Sequence, residues 1–194
     1  MFADFALTPQ QEAALEGHLE LLIRWNRSLN LTAIRSREEA IERHYCEALF
    51  LGSRLPAGAL RIADIGSGAG FPGFPVAILR PECSVTLIES HQRKAVFLRE
   101  ASRKTPNVRI LAKRAEDVAE TFDWVISRAV SYSDLRGVLK VLASKAALLT
   151  GADGPPTSLG FVWDEQVVLP WGHQRFLRTG RAVEFSDQAE LGIS

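Results

Sequence analysis

Asp64-Ile65-Gly66-Ser67-Gly68-Ala69-Gly70 sets three glycines at two-residue spacing directly after the apolar run Leu60–Ile65. A strand that ends this way can turn tightly and bring its backbone against a ligand where any Cβ would clash. The chemistry such a loop supports is the holding of a nucleoside cofactor. Glu89, at the end of the next apolar run Ser84–Ile88, is placed to accept both hydroxyls of a ribose, with Ser90 beside it.

Two cofactor types compete for this loop. The overlapping spacing Gly68-x-Gly70-x-x-Gly73 also fits a nicotinamide or flavin dinucleotide. Register opposes that reading, because the first tight turn falls at Gly66 and Pro72 lacks an amide where a pyrophosphate needs donors. Ala115-Glu116, after the run Val108–Leu111, offers an acidic side chain and backbone groups where methyltransferases hold adenine, although a capping role for Glu116-Asp117 competes. The stretch Gly151–Ser194 is too short to be the catalytic domain of a dehydrogenase. S-adenosylmethionine is therefore the expected cofactor.

Acid–base machinery is not evident. There is no Asn-Pro-Pro-Tyr motif, and His18, His44, His91 and His173 have no carboxylate at a telling spacing, so each is expected on the surface or in packing. Cys46 and Cys83 stand singly among apolar neighbours, as reduced packing residues do, and no metal site is expected. The 194 residues carry no net charge, which argues against a broadly basic coat. Between Ser90 and Ala115, however, eight basic residues, including Arg93, Lys94 and Arg114, stand against Glu100 alone. Such a block is either a solvated helix face or a phosphate-binding patch.

The elements that must position these groups follow from periodicity. Thr8-Pro9-Gln10-Gln11 begins a helix expected from about Pro9 to Ser28, and Ser36 with Glu39 repeats the capping pattern before a second helix. The segment Asn26–Thr32 is expected as a helix stop and turn. From Leu60, strands expected at 60–65, 84–88, 108–111, 124–127 and 146–149 alternate with helices at 75–79, 92–102 and 132–142. Alternation of this kind requires a largely parallel sheet covered on both faces, an α/β Rossmann-like fold. Short strands at 159–163, 166–169 and 175–177 are expected to form an antiparallel C-terminal edge. The organisation expected is an N-terminal helical extension, 1–59, on a single Rossmann-like unit, 60–194.

Taken together, Trp25-Asn26, Asn30-Leu31-Thr32, Arg43-His44, Asp64 through Gly73, Glu89-Ser90, Arg93-Lys94-x-x-Phe97-Leu98, Arg114-Ala115-Glu116 and Ser127-Arg128-Ala129 resemble the bacterial small-subunit ribosomal RNA methyltransferase G family, also called glucose-inhibited division protein B. The likeness runs from about Leu15 to Val130. It implies the class I S-adenosylmethionine-dependent methyltransferase fold and methylation of guanine N7 in the 530 loop of 16S rRNA. Carried across, Gly66, Ser67, Gly68, Gly70, Phe71, Glu89, Ser90, Ala115 and Glu116 would hold the cofactor. Arg128 would stand where cofactor meets substrate, touching the cofactor and serving as the catalytic residue, and Asn30, Arg93, Lys94, Arg114 and Arg175 would face RNA.

The C-terminal third departs from the family, which usually carries Lys-Gly at the end of the fifth strand where this chain has Thr150-Gly151. A positive charge facing RNA is expected to be missing there. The partner implied is 16S rRNA or the small subunit, finished or as an assembly intermediate, with the protein cytoplasmic, monomeric and off the membrane. The alternatives are a methyltransferase for another RNA or a small molecule, and a non-catalytic RNA-binding assembly protein.

Overall fold

Short apolar runs separated by amphipathic helices build a seven-stranded sheet in the order β3-β2-β1-β4-β5-β7-β6. The strands are β1 (Arg61–Ile65), β2 (Ser84–Ile88), β3 (Val108–Leu111), β4 (Trp124–Arg128), β5 (Lys145–Thr150), β6 (Phe161–Val168) and β7 (Phe176–Ala182). These come from a computed structural model that describes residues 2, 4–34, 36–171 and 173–183. The first five strands are parallel and β7 runs antiparallel between β5 and β6. In β1 and β2 only the first residue is exposed, as expected of parallel strands covered on both faces.

Helices α1 (Pro9–Leu29), α2 (Arg37–Ala40), α3 (Glu47–Arg54), α4 (Gly73–Leu79), α5 (Gln92–Ala101), α6 (Tyr132–Leu135) and α7 (Leu139–Leu142) surround the sheet. Thr8 caps α1 with the full reciprocal box, each of Thr8 and Gln11 receiving the other's backbone amide. The Gln11 side chain also donates to the Ile78 carbonyl at 2.7 Å, joining α1 to the end of α4. One core cluster packs Leu15, Leu19, Tyr45, Phe74 and Phe97 against Ile62 and Leu87. A second, across the sheet, packs Leu135, Leu139, Leu142 and Phe161 against Ile65, Ile88 and Val125. The alternation of Ile62 with Ala63 and of Leu87 with Ile88 serves these two layers. Each fully buried leucine stabilises the fold by roughly 1.5–3 kcal/mol through transfer from water.

Three expectations are corrected. The helix expected over 132–142 breaks into α6 and α7, because Gly137 takes φ +80° after extended Arg136. The segments expected at 159–163 and 166–169 are one strand, β6, with a register shift between Trp163 and Glu165. Its polar Asp164-Glu165 lies exposed on the sheet edge, where it interrupts the apolar pattern without ending the strand. The helix begun at Ser36 is not regular: Ser36 caps Glu39 at 3.1 Å, the Glu39 carboxylate turns to Arg43 at 3.0 Å, and Ile41–Cys46 widens into a π-helical turn before α3.

Candidate active site

The glycine loop leaves the carboxyl end of β1 with Gly66, Gly68 and Gly70 at φ +68°, +57° and +91°. These left-handed conformations cost an L-residue about 1–2 kcal/mol. The amides of Gly66 and Ser67 both donate to the Ile88 carbonyl, at 3.0 and 3.2 Å, tying the loop to β2. A Cβ at Gly66 would stand 2.4 Å from Val130 Cγ2, whereas at Gly68 its nearest neighbour would be 3.8 Å away. The loop is thus a backbone cradle with open space beside Gly68.

Two carboxylates brace the cradle. Glu89, only 7% exposed, accepts the Gly68 amide at 2.8 Å and the His91 amide at 2.7 Å. Asp64 lies beneath with no exposure and accepts the Gly73 amide at 3.0 Å through Oδ2, while Oδ1 has no partner among the described residues. Burial pushes the Asp64 carboxyl up to about 7 against the pull of the Gly73 amide. A Cβ at Gly73 would come within 2.7 Å of that carboxylate and 2.4 Å of Leu87, so this position also admits only glycine.

Across the cleft the guanidinium of Arg128, at the end of β4, donates to the Arg43 carbonyl and to His44 Nδ1, and lies 5.8 Å from the Phe71 ring centre. The His44 ring stacks on Phe71 at 4.7 Å, and its Nε2 lies 2.8 Å from Thr32 Oγ1. Burial, then the neighbouring Arg128 charge, hold His44 down to about 3, so its ring is neutral. The carboxylate of Glu47, with no exposure, takes Arg175 by both oxygens at 2.9 and 2.7 Å and lies 3.6 Å from Arg128. A cleft of about 480 Å³ joins Gly66–Ala69 and Phe71 to Arg43, Lys94, Arg128 and Arg175. A larger groove of about 940 Å³ between α1 and α5 contains none of the loop glycines, so the smaller cleft is where this chemistry converges.

Residues 11–146 match the family model described as rRNA small subunit methyltransferase G. The chain belongs to this family. A ribosomal RNA small subunit methyltransferase G of Xanthomonas axonopodis pv. citri is 40% identical over 159 residues, covering 71% of this chain and 73% of that one. The protein of the same name from Chromobacterium violaceum is 37% identical over 172 residues, covering 86% and 79%. Among solved structures, an S-adenosylmethionine-dependent methyltransferase from Aquifex aeolicus superposes with a TM-score of 0.58 at 17% identity, covering 75% of this chain and 93% of that one. Aeropyrum pernix fibrillarin, solved with natively bound S-adenosyl-L-methionine, gives a TM-score of 0.57 at 13% identity, covering 73% and 76%. These two likenesses concern the fold, which is the class I methyltransferase fold.

Within this family member the predicted site residues separate into groups. Gly66, Ser67, Gly68, Phe71, Lys94, Arg128 and Arg175 line one cleft. Gly70 lies under the loop, where a Cβ would meet Phe74 at 3.2 Å and His18 at 3.3 Å. Glu89 reaches the loop through Gly68, and Ser90 is exposed beside it. Ala115 and Glu116 form a 3-10 turn after β3 with Glu116 exposed; they do not line this cleft, but the Glu89 amide donates to the Leu111 carbonyl at 3.1 Å, so their strand end adjoins Glu89. Arg93 and Arg114 are exposed outside the cleft walls. Asn30 is the left-handed stop of α1, at φ +47°, as its neighbourhood foretold.

Two guanidinium groups of the C-terminal third are anchored. Arg175 lines the cleft with its guanidinium held by Glu47 as a bidentate pair. At the end of β5, Arg178 of β7 bonds Thr150 Oγ1 and the carbonyls of Gly151 and Ala152, at 6% exposure. That guanidinium braces the loop after β5 and is turned inward, away from solvent.

His44, Glu47 and Thr32 escaped the sequence reading as functional groups. Their partners are remote in sequence, 84 residues apart for His44 and Arg128 and 128 for Glu47 and Arg175, so no local spacing reveals them. Asn26, read as part of a turn, clamps Thr32 through both backbone groups at 2.9 and 3.0 Å and so holds the hydroxyl that meets His44.

Proposed function

We propose that this protein transfers the methyl group of S-adenosylmethionine to guanine N7 in the 530 loop of 16S rRNA. The observation that carries this reading is the single cleft in which the glycine cradle faces the Arg128 guanidinium, with Lys94 and Arg43 at its rim. The cradle fits the cofactor: its backbone turns inward where side chains would clash, space opens beside Gly68, and Glu89 ends the adjoining strand. Gly66, Ser67, Gly68, Gly70 and Phe71 would hold the nucleoside, Glu89 and Ser90 its ribose, and Ala115 with Glu116 its adenine edge. When bound, the cofactor supplies an electrophilic sulfonium methyl.

Guanine N7 has a lone pair and no proton at neutral pH, so its attack needs no general base. His44 suits that economy, since its neutral ring serves as an acceptor for Arg128 and takes no proton from substrate. Catalysis is then positioning, with the base held in line in a site that excludes water. Arg128 forks onto paired acceptors such as O6 and N7 of guanine or a phosphate. Lys94, with Arg93 and Arg114 of the same basic segment, supplies phosphate contacts. An rRNA substrate supports a cytoplasmic location; among the described residues no helix is long and apolar enough to cross a membrane. We propose that it acts as a monomer in which the segment 1–59 and the sheet domain form one unit.

The test is to incubate the protein with labelled cofactor and small subunits from cells lacking this enzyme, then map the modified base. Label at guanine N7 of the 530 loop is the expected result; label elsewhere or none would remove the assignment.

A further inference from the structure

We infer that Glu47 is a positioning residue for methyl transfer, the buried carboxylate that lets the guanidinium groups of Arg128 and Arg175 stand together at the mouth of the cleft. The inference rests on the methyltransferase reading above and adds to it a residue outside the cofactor and RNA contacts.

Glu47 has no solvent exposure, and a carboxylate so buried must be paired. It follows the π-helical turn Ile41–Cys46, and three elements meet on it. Arg175, just before β7, bonds both oxygens with its Nε and Nη2, the forked geometry that fixes direction as well as charge. Arg128, at the end of β4, stands 3.6 Å from Oε2. The wide turn also presents the Arg43 carbonyl and His44 Nδ1 to Arg128, so the same chain segment supplies three of its neighbours.

Charge makes this arrangement conditional. Arg128 and Arg175 repel each other, and with side chains only 16% and 21% exposed they have little water to screen them. Glu47 is the buried anion that meets both; the buried Asp64 attracts Arg128 more weakly, and the exposed Glu39 pairs with Arg43. Without the Glu47 charge, Arg128 keeps only neutral acceptors, the Arg43 carbonyl and His44, and Arg175 loses its fork. The two hydrogen bonds Arg128 makes among the described residues leave further N–H groups for substrate. Their direction toward the cleft is what Glu47 sets.

The experiment compares wild type, Glu47→Gln and Glu47→Asp in single-turnover methyl transfer at saturating small subunit, with cofactor affinity measured by calorimetry. Glu47→Gln is expected to bind cofactor within about twofold of wild type yet react about 100-fold more slowly, as a misplaced reacting partner does. Glu47→Asp, which keeps the charge, is expected to recover much of that rate. A Glu47→Gln rate within about threefold of wild type, or a cofactor affinity that falls as far as the rate, would overturn the inference. Should Glu47→Gln fail to fold, Glu47→Asp decides: with cofactor affinity within about twofold of wild type it is expected to react about 5-fold more slowly, because its shorter arm cannot hold both guanidinium groups in place, and a rate equal to that of wild type, or an affinity that falls as far as the rate, refutes the role. Absence of transfer by the wild type removes the methyltransferase reading and this inference together, whereas an unimpaired Glu47→Gln removes this one only.

Discussion

Arg128 Nη2 donates to Nδ1 of His44 across 2.5 Å, and a donor-only guanidinium there dictates the histidine tautomer. Nδ1 must carry the lone pair, so the proton sits on Nε2 and goes to Thr32 Oγ1, which also accepts the Ile34 amide at 3.1 Å. The chain from Asn26 through Thr32 and His44 therefore ends on Arg128, the residue proposed to meet substrate. A second proton on His44 would set N–H against N–H and break it.

Arg128→Ala is expected to lower methyl transfer by at least about 100-fold while cofactor affinity changes less than about threefold, because the guanidinium faces the cleft opposite the glycine cradle. Isothermal titration of the cofactor beside single-turnover rates checks this. Equal loss of both would make Arg128 a cofactor ligand and remove its substrate-side role.

Lys94 lines the cleft and Arg93 does not, although both begin α5. Neutralising Lys94 to Gln is expected to weaken RNA binding and to reduce the slope of log affinity against log salt by about 1, with Arg93→Gln affecting it less. Filter binding across a salt series measures the slope. An unchanged slope in both variants would return this segment to a solvated helix face.

Thr150→Lys restores the residue usual in the family and is expected to destabilise this member by about 1–3 kcal/mol. Its hydroxyl accepts a hydrogen bond from the buried Arg178, and an ammonium there would meet like charge instead. Urea denaturation tests it, and a gain in stability would mean that Arg178 readily finds another place.

Stability should rise with pH between about 5 and 6.5. His18 and His44 are each lowered from 6.5 to about 3, chiefly by burial, so the unfolded chain binds two protons there that the folded one does not. Asp64, raised from 3.8 to about 7, is protonated in the folded state over the same range and offsets one of them. The remaining uptake of about one proton on unfolding gives a slope of about 1 kcal/mol per pH unit, which fades above the usual histidine value. Denaturation midpoints at several pH values measure it; stability that falls with pH across this window would contradict these assignments.

Local signals carried far in this chain. The bounds expected for β2 and β3, residues 84–88 and 108–111, are those observed: β2 is buried on both faces from Val85 onward, and β3 is a half-buried edge strand whose apolar residues flank the exposed Arg109. The Thr8 cap and the glycine turn were legible because a capping oxygen and a left-handed backbone are requirements within a few residues. The long β6 was not, because pairing with β7 along its length overrode the polar interruption, and neither was the break at Gly137, where a glycine's positive φ is not announced by its neighbours.

By itself, then, the amino-acid order determined the parallel α/β architecture, the glycine cradle with Glu89 beside it and the basic segment, all of which rest on short-range periodicity and sterics. Tertiary structure alone decided what Arg128 touches. Its partners Arg43 and His44 come from a π-helical turn, and the carboxylate of Glu47 is shared with Arg175 from the start of β7. Buried charge is settled by whichever groups folding brings within a few ångströms, and sequence distance has no bearing on that.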